Sequence, residues 1–328
     1  MNRRPAFILV AVSGALLGAL AGVEAWFRRA EADAPMLLVD SGVKYLLRGG
    51  GEENQFGWRE RDVPLEKAPG VFRIAVLGDS VTFGAGVEAS LTWPRQLEAA
   101  LVSSHRVEVL NFSVVGYDIE SIESVYREKV AAWRPDLVLY GFFQNDTVPT
   151  ELLVVGGHPV WVATGPRDFR VVSRALDPWL HPRTALFRYV EGAAAARAIA
   201  ARPPGALEDW DYFARHAEAL IRDTQEGGVP LVVYLIPPHT FSQPDLASCD
   251  ASAGHGSGFC AGNDAILGRA ASFWDAHGVR HVDGVAAYRA DGPADLHLFP
   301  RDPHHPNALG HARLAAGIAA TVQALLPP

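Results

Sequence analysis

Five short apolar runs punctuate the chain, at 72–77, 107–111, 137–141, 231–236 and 279–283. Runs of this length, bounded by small or polar residues, predict strands buried on both faces, the pattern of a parallel sheet. Between and after them lie stretches whose apolar positions recur at helical spacing, at 93–103, 119–133, 207–225, 264–277 and 307–326. Strand–helix alternation requires right-handed crossovers, which set helices on both faces of the sheet. An α/β body is therefore expected from residue 71 to 328. Residues 31–70 read as an irregular lead-in. Residues 147–204 break the rhythm as an insert, with a hairpin expected at 152–155 and 160–163 around Gly156-Gly157 and an Ala-rich helix near 184–201. No repeat of solenoid period occurs.

A different pattern governs residues 1–30. Positions 5–23 form 19 consecutive residues without a charge, preceded by Arg3-Arg4 and followed by Trp26-Phe27 and Arg28-Arg29. As a helix that run is about 28 Å long, close to the hydrocarbon thickness of a bilayer. Interfacial aromatics and flanking arginines complete the expectation of a membrane anchor. Two alternatives stay open: a cleaved signal peptide, with Val23-Glu24-Ala25 as the small-residue site, and a buried core helix.

Composition narrows the class. The chain has 328 residues, a net charge of −8, 49% hydrophobic residues and two cysteines. Disorder is excluded, because large apolar side chains are plentiful and charge is not. A mini-domain built on disulfides is excluded by the cysteine count. The acidic balance argues against a general nucleic-acid binder. Cys249 and Cys260 bracket a Gly/Ser-rich loop, and a disulfide closing it would contribute about 3 kcal/mol in the chain-entropy model. The alternative is two unrelated buried thiols. Together with residues 1–30, the pair points to a domain outside the cytoplasm, on the cell envelope or secreted.

Open α/β sheets bind ligands beyond the carboxyl ends of their strands, so the residues there are the ones to examine for chemistry. Gly78-Asp79-Ser80 follows the first run, Asn111 through Gly116 the second, and Phe143-Gln144-Asn145-Asp146 the third. Near the C-terminus stands Asp302-Pro303-His304-His305-Pro306-Asn307, with His311 beyond it. A serine hydroxyl attacks only when a base takes its proton. His305 is placed to be that base, with Asp302 three residues earlier to hold its imidazole. The oxyanion of a tetrahedral intermediate would find donors in the Ser80 N–H, the Gly116 N–H and the Asn145 amide. His304 is a less suitable base, and His311 is expected to pack or cap. A metal site from Asp302, His304, His305 and His311 is the bland alternative, with no second ligand cluster to support it.

Taken together, these four blocks resemble the SGNH hydrolases, the GDSL-type esterase and lipase superfamily, from about residue 71 to the C-terminus. The resemblance implies a three-layer α/β/α sandwich with a flavodoxin-like, five-stranded parallel sheet. It implies Ser80 as nucleophile, Gly116 and Asn145 in the oxyanion hole with the Ser80 N–H, and Asp302 and His305 completing a triad. It also implies an ester substrate, such as an acylated glycan or lipid, with no metal or organic cofactor. The N-terminal segment is similar to that of bacterial membrane-tethered relatives with periplasmic catalytic domains. One departure stands out: the family's third block reads Gly-x-Asn-Asp, whereas this chain has Phe143 at the first position. Two rivals use the same residues differently. An O-acyltransferase would pass the acyl group to a sugar, and a non-catalytic flavodoxin-like module would leave Asp302 and His305 without a role. Gly84-Ala85-Gly86 lacks the third glycine of a dinucleotide fingerprint, and Gly-x-Ser-x-Gly is absent.

Overall fold

The computed structural model describes residues 4–32, 37–38, 43, 46–47, 53–102, 105–155, 158–163, 183–187, 208–238, 245, 247–248, 259–290, 292, 294–298 and 302–327. Chain contacts divide it into two units. One holds Met1–Met36, Glu151–Val162 and Arg167–Arg202; the other holds the remainder.

In the first unit, helix α1 runs unbroken over Arg4–Ala32. Its side chains are described at positions 12–29, where Leu16, Leu17, Leu20, Val23 and Trp26 are exposed. Among the described residues no helix is long and apolar enough to cross a membrane. Glu24 accepts hydrogen bonds from the backbone N–H groups of Ala185 (2.8 Å) and Leu186 (3.0 Å) and pairs with Arg28. The rest of the Ala-rich segment expected at 184–201 lies outside the described residues.

The second unit is built on five strands: β1 (Phe72–Gly78), β2 (Val107–Asn111), β3 (Leu137–Phe142), β6 (Leu231–Leu235) and β7 (Arg280–Asp283). The hairpin strands β4 (Thr150–Val155) and β5 (His158–Ala163) fall between β3 and β6 in the chain and form a sheet of their own, close to the expected positions. In the main sheet the order is β2-β1-β3-β6-β7, and every neighbouring pair is parallel. Counted among these five strands alone, that is the 2-1-3-4-5 order of a flavodoxin-like sheet. All six residues of the central β3 are buried, whereas the edge strand β7 has no fully buried position. A purely parallel sheet of this kind needs apolar side chains on both faces of its inner strands, which explains why those runs lack strict alternation.

The helices follow their caps. Asp118 starts α4 (Ile119–Glu128) by accepting from Ser121 N, Asp209 starts α5 (Trp210–Glu226) by accepting from Tyr212 N, and Asn307 starts α8 (Ala308–Gln323) by accepting from Leu309 N and Gly310 N. Each satisfies an N–H that the first turn leaves without a partner. The helix expected over 119–133 is instead α4 followed by a 3-10 turn, Val130–Trp133, because Lys129 leaves helical geometry at φ −126° and ψ −56°. The helix expected from residue 264 begins earlier, as α6 (Phe259–Ala276). Cys260 therefore sits in its first turn, buried and disulfide-bonded. The chain's other cysteine, Cys249, lies outside the described residues.

The lead-in differs most from expectation. Its backbone is irregular, but Trp58 and Glu60 are buried and Arg73, at the start of β1, is fully buried against it. Arg73 donates to the carbonyls of Pro64, Leu65 and Trp133 and pairs with Glu108. A buried guanidinium is tolerated only when its donors are filled, and two carbonyls of the lead-in, the Trp133 carbonyl and Glu108 fill them here.

Candidate active site

Ser80 opens α2 (Ser80–Phe83), a single helical turn directly after β1. This is the strand at which the sheet order reverses, with β2 on one side and β3 on the other, the crevice where open α/β sheets place their ligands. The turn lies unusually close to the sheet. A Cβ on Gly78 would stand 2.6 Å from Thr82 Oγ1, and one on Gly141 would stand 2.3 Å from the same atom. Gly78 and Gly141 face each other in the β1–β3 register. Two adjacent glycines thus open a notch that takes the Thr82 side chain and draws α2, with Ser80 at its mouth, onto the strand ends.

The preceding residue, Asp79, caps the turn: its carboxylate accepts from Val81 N at 2.9 Å. It also accepts from the Thr82 N–H and from the Asn145 side chain. Asp79 is fully buried, and burial raises its pKa above the ordinary carboxylate value against the lowering effect of these bonds and of nearby His305. Asn145 sits in the 3-10 turn Gln144–Thr147 after β3. Phe143, where the family pattern has glycine, is in extended conformation at φ −123°, which any residue adopts. Its N–H donates to Asp146 Oδ2 at 2.9 Å, and Tyr140 Oη donates to the same oxygen at 2.7 Å. Burial, with Asp79 and Asp118 nearby, pushes the Asp146 carboxyl well above its usual range.

Gly116 lies in the turn between β2 and α4 with φ +74°, a conformation that favours glycine. Two residues on, the fully buried Asp118 binds three chain segments together. Its Oδ1 accepts from Ser121 N and Oγ, while Oδ2 accepts from Thr150 N (2.7 Å), Thr150 Oγ1 (2.8 Å) and Tyr212 Oη (2.9 Å). The turn carrying Gly116 and the chain leaving Asn145 are thereby tied to one carboxylate.

His305 enters from β9 (Asp302–Pro306), which pairs antiparallel with β8 (His297–Leu298). His305 Nε2 stands 2.8 Å from Ser80 Oγ, the separation that a base needs to take a proton from a hydroxyl. Asp302 lies on the same strand, and its side chain is outside the described residues. His304 is exposed. His311 is fully buried in α8, and its Nδ1 accepts from Trp93 N at 3.2 Å, so the ring has a structural contact away from Ser80. Burial first, then Arg59 and His305, lower its pKa to about 3 and keep it neutral. Among the described residues no cluster of three or more potential metal ligands occurs.

Ser80 and His305 are thus in contact, and Asn145 is joined to Ser80's neighbour. No role for Asp79, Asp118 or the lead-in follows from the local sequence alone. A helix-capping signal was legible at Asp79 and Asp118; their long-range partners were not.

Residues 74–158 match the family model described as GDSL-like Lipase/Acylhydrolase. That span carries Ser80, Gly116 and Asn145, while Asp302 and His305 lie beyond it. No curated protein matches the chain. Among solved structures, it is similar to a member of the lipolytic protein G-D-S-L family from Veillonella parvula DSM 2008, at 12% identity over 77% of this chain and 98% of that one, with a TM-score of 0.46. An acetylxylan esterase from Geobacillus stearothermophilus matches at 13% identity over 76% and 94%, with a TM-score of 0.45. The acetyl xylan esterase AlAXEase matches at 14% over 76% and 100%, with a TM-score of 0.47. The Gly-Asp-Ser turn at the reversal of strand order thus lies within the stretch, residues 74–158, that matches the model of the GDSL-like Lipase/Acylhydrolase family.

Proposed function

We propose that this protein hydrolyses carboxylic esters by forming an acyl-enzyme at Ser80. The observation that carries the reading is the 2.8 Å contact between His305 Nε2 and Ser80 Oγ at the strand ends. Ser80 Oγ attacks the acyl carbon as His305 Nε2 takes its proton, and Asp302 orients the imidazole through Nδ1. The carbonyl oxygen becomes an oxyanion that accepts from the Ser80 N–H, the Gly116 N–H and the Asn145 amide. His305 then gives its proton to the departing alcohol. In the second half-reaction it activates a water that attacks the acyl-enzyme, releasing the acid and restoring Ser80.

The substrate class we assign is an O-acyl ester of an envelope glycan or lipid, met outside the cytoplasm by a domain tethered through α1. The disulfide-bonded Cys260 supports an oxidising compartment. A fluorophosphonate probe should label the full-length protein at Ser80, and Ser80→Ala and His305→Ala should lose both labelling and ester hydrolysis while keeping the wild-type circular dichroism. Full hydrolytic activity in Ser80→Ala would overturn the mechanism. Product analysis with and without an oligosaccharide acceptor separates hydrolysis from acyl transfer, since only the acceptor differs between them.

A further inference from the structure

We propose that Trp58, Arg59 and Glu60, three consecutive residues of the lead-in, form a strap that positions the nucleophile turn against the oxyanion loop. All three precede residues 74–158, the span that matches the family. The inference rests on the reading of Ser80 as nucleophile and of Gly116 as an oxyanion donor.

The strap is shaped by its own sequence. Asn54 Oδ1 accepts from the N–H groups of Phe56 (3.0 Å) and Trp58 (3.2 Å), its Nδ2 donates to Arg61 O, and its N–H donates to Trp58 O (2.8 Å). An asparagine followed by a glycine three positions on, Gly57 at φ +84°, suits such a closed turn. The turn directs the next three side chains to different parts of the site's scaffold. Trp58 packs edge-on against Phe112 at 5.3 Å. Arg59 Nη1 donates to Gly84 O (2.7 Å) and Phe83 O (3.3 Å), its Nη2 donates to Val87 O, and its guanidinium lies over the Phe83 ring. Glu60 Oε2 accepts from Asn111 N at 3.0 Å, while Oε1 binds Arg95 and the Arg61 N–H.

These contacts fall where the scaffold is weakest. A four-residue helix such as α2 cannot fill the carbonyls at its own C-terminal end, and Arg59 fills them from outside. Asn111 is the last residue of β2 and starts the loop that leads to Gly116; its Nδ2 also reaches back to Thr82 O at 3.1 Å. One short segment thus grips both the turn that carries Ser80 and the loop that carries Gly116. A displacement of about 1 Å between reacting groups can cost on the order of a hundredfold in rate, so such a grip acts on catalysis through geometry.

The test uses the full chain with p-nitrophenyl acetate, fluorophosphonate labelling, and hydrogen exchange at residues 81–87 and 111–116. Arg59→Ala and Glu60→Ala should each lower kcat about tenfold or more with KM within about twofold, the pattern of a lost transition-state interaction. Glu60→Gln should recover most of that loss, because its amide oxygen still accepts from the Asn111 N–H. In both alanine variants, exchange should rise in both loops together. The strap is overturned if Arg59→Ala keeps wild-type kcat, if Glu60→Gln is as impaired as Glu60→Ala, or if exchange rises in only one loop. Should Arg59→Ala fail to fold, the Glu60 pair decides the question alone. A wild-type protein that neither hydrolyses nor labels refutes the esterase reading, whereas the paired exchange response still decides the strap.

Discussion

Asn145 donates its side-chain amide to the carboxylate of Asp79, the residue immediately before Ser80. The group proposed for the oxyanion hole is therefore oriented by the same side chain that caps the helical turn opened by Ser80. A side-chain amide rotates freely unless one of its atoms is held, and a transition-state donor works only when it needs no reorganisation. Asp79 supplies that hold from the buried side.

Asp79→Asn tests this arrangement. Asparagine caps helices as well as aspartate, so the Val81 N–H keeps its acceptor and stability should change by no more than about 1 kcal/mol. Toward Asn145, however, two amide groups would meet, and the orienting bond is lost. Steady-state kinetics on an ester should show kcat reduced about tenfold to a hundredfold with little change in KM.

The notch between Gly78 and Gly141 makes a packing prediction. Gly141→Ala puts a methyl 2.3 Å from Thr82 Oγ1 and 3.1 Å from Ile236 Cδ1. Overpacking of this kind costs about 1–3 kcal/mol. Thr82 Oγ1 is buried without a hydrogen-bond partner, so Thr82→Ala loses no bond and makes room. Chemical denaturation should show the double variant more stable than Gly141→Ala alone, a coupling that independent sites would lack.

His311 predicts a limb in the acid stability of the protein. Its pKa in the folded protein is about 3, below the 6.5 of an unfolded histidine. The folded state therefore binds fewer protons at this site, and stability is fully present above pH 6.5 and lost as pH falls toward 3. The limit is on the order of 5 kcal/mol. His311→Asn keeps an acceptor for the Trp93 N–H but does not titrate. Urea melts of the two proteins should converge as pH drops from 6.5 to 4.

Glu60 predicts the opposite slope. Burial raises its pKa from 4.5 to about 7, against the pull of the Asn111 N–H and of Arg61, with Glu98 adding to the rise. Arg95 also contacts its carboxylate. The folded state binds more protons here than the unfolded chain, so this contribution is largest below pH 4.5 and declines as pH rises through 7. Relative to wild type, Glu60→Gln should gain stability between pH 5 and pH 8. A difference that stays constant across that range would contradict the assignment.

The five strands were legible because a strand buried on both faces must be apolar throughout, whatever lies next to it. Their bounds shifted by at most one residue. Three of the candidate blocks were legible because each follows such a strand, whereas Asp302–His305 lies on β9 of a separate sheet. Phe143, where the resemblance leads one to expect glycine, has an extended backbone that any residue adopts. The break at Lys129 and the early start of α6 were not legible, since neither carries a strong local stop or start signal.

By itself, the sequence determined the parallel α/β architecture and the order in which the candidate blocks follow one another along the chain. Those properties follow from local periodicity and from spacing within single segments. Only the tertiary structure decided that Thr82 sinks between two glycines on adjacent strands, that Asp79 holds Asn145 and that Asp118 binds Thr150 and Tyr212. It alone turned residues 58–60 from an irregular lead-in into contacts with both loops of the site. Each of these links pairs residues tens of positions apart. Hydrogen bonding and packing act through space, and a residue's neighbours along the chain do not report which distant group will fill its valence.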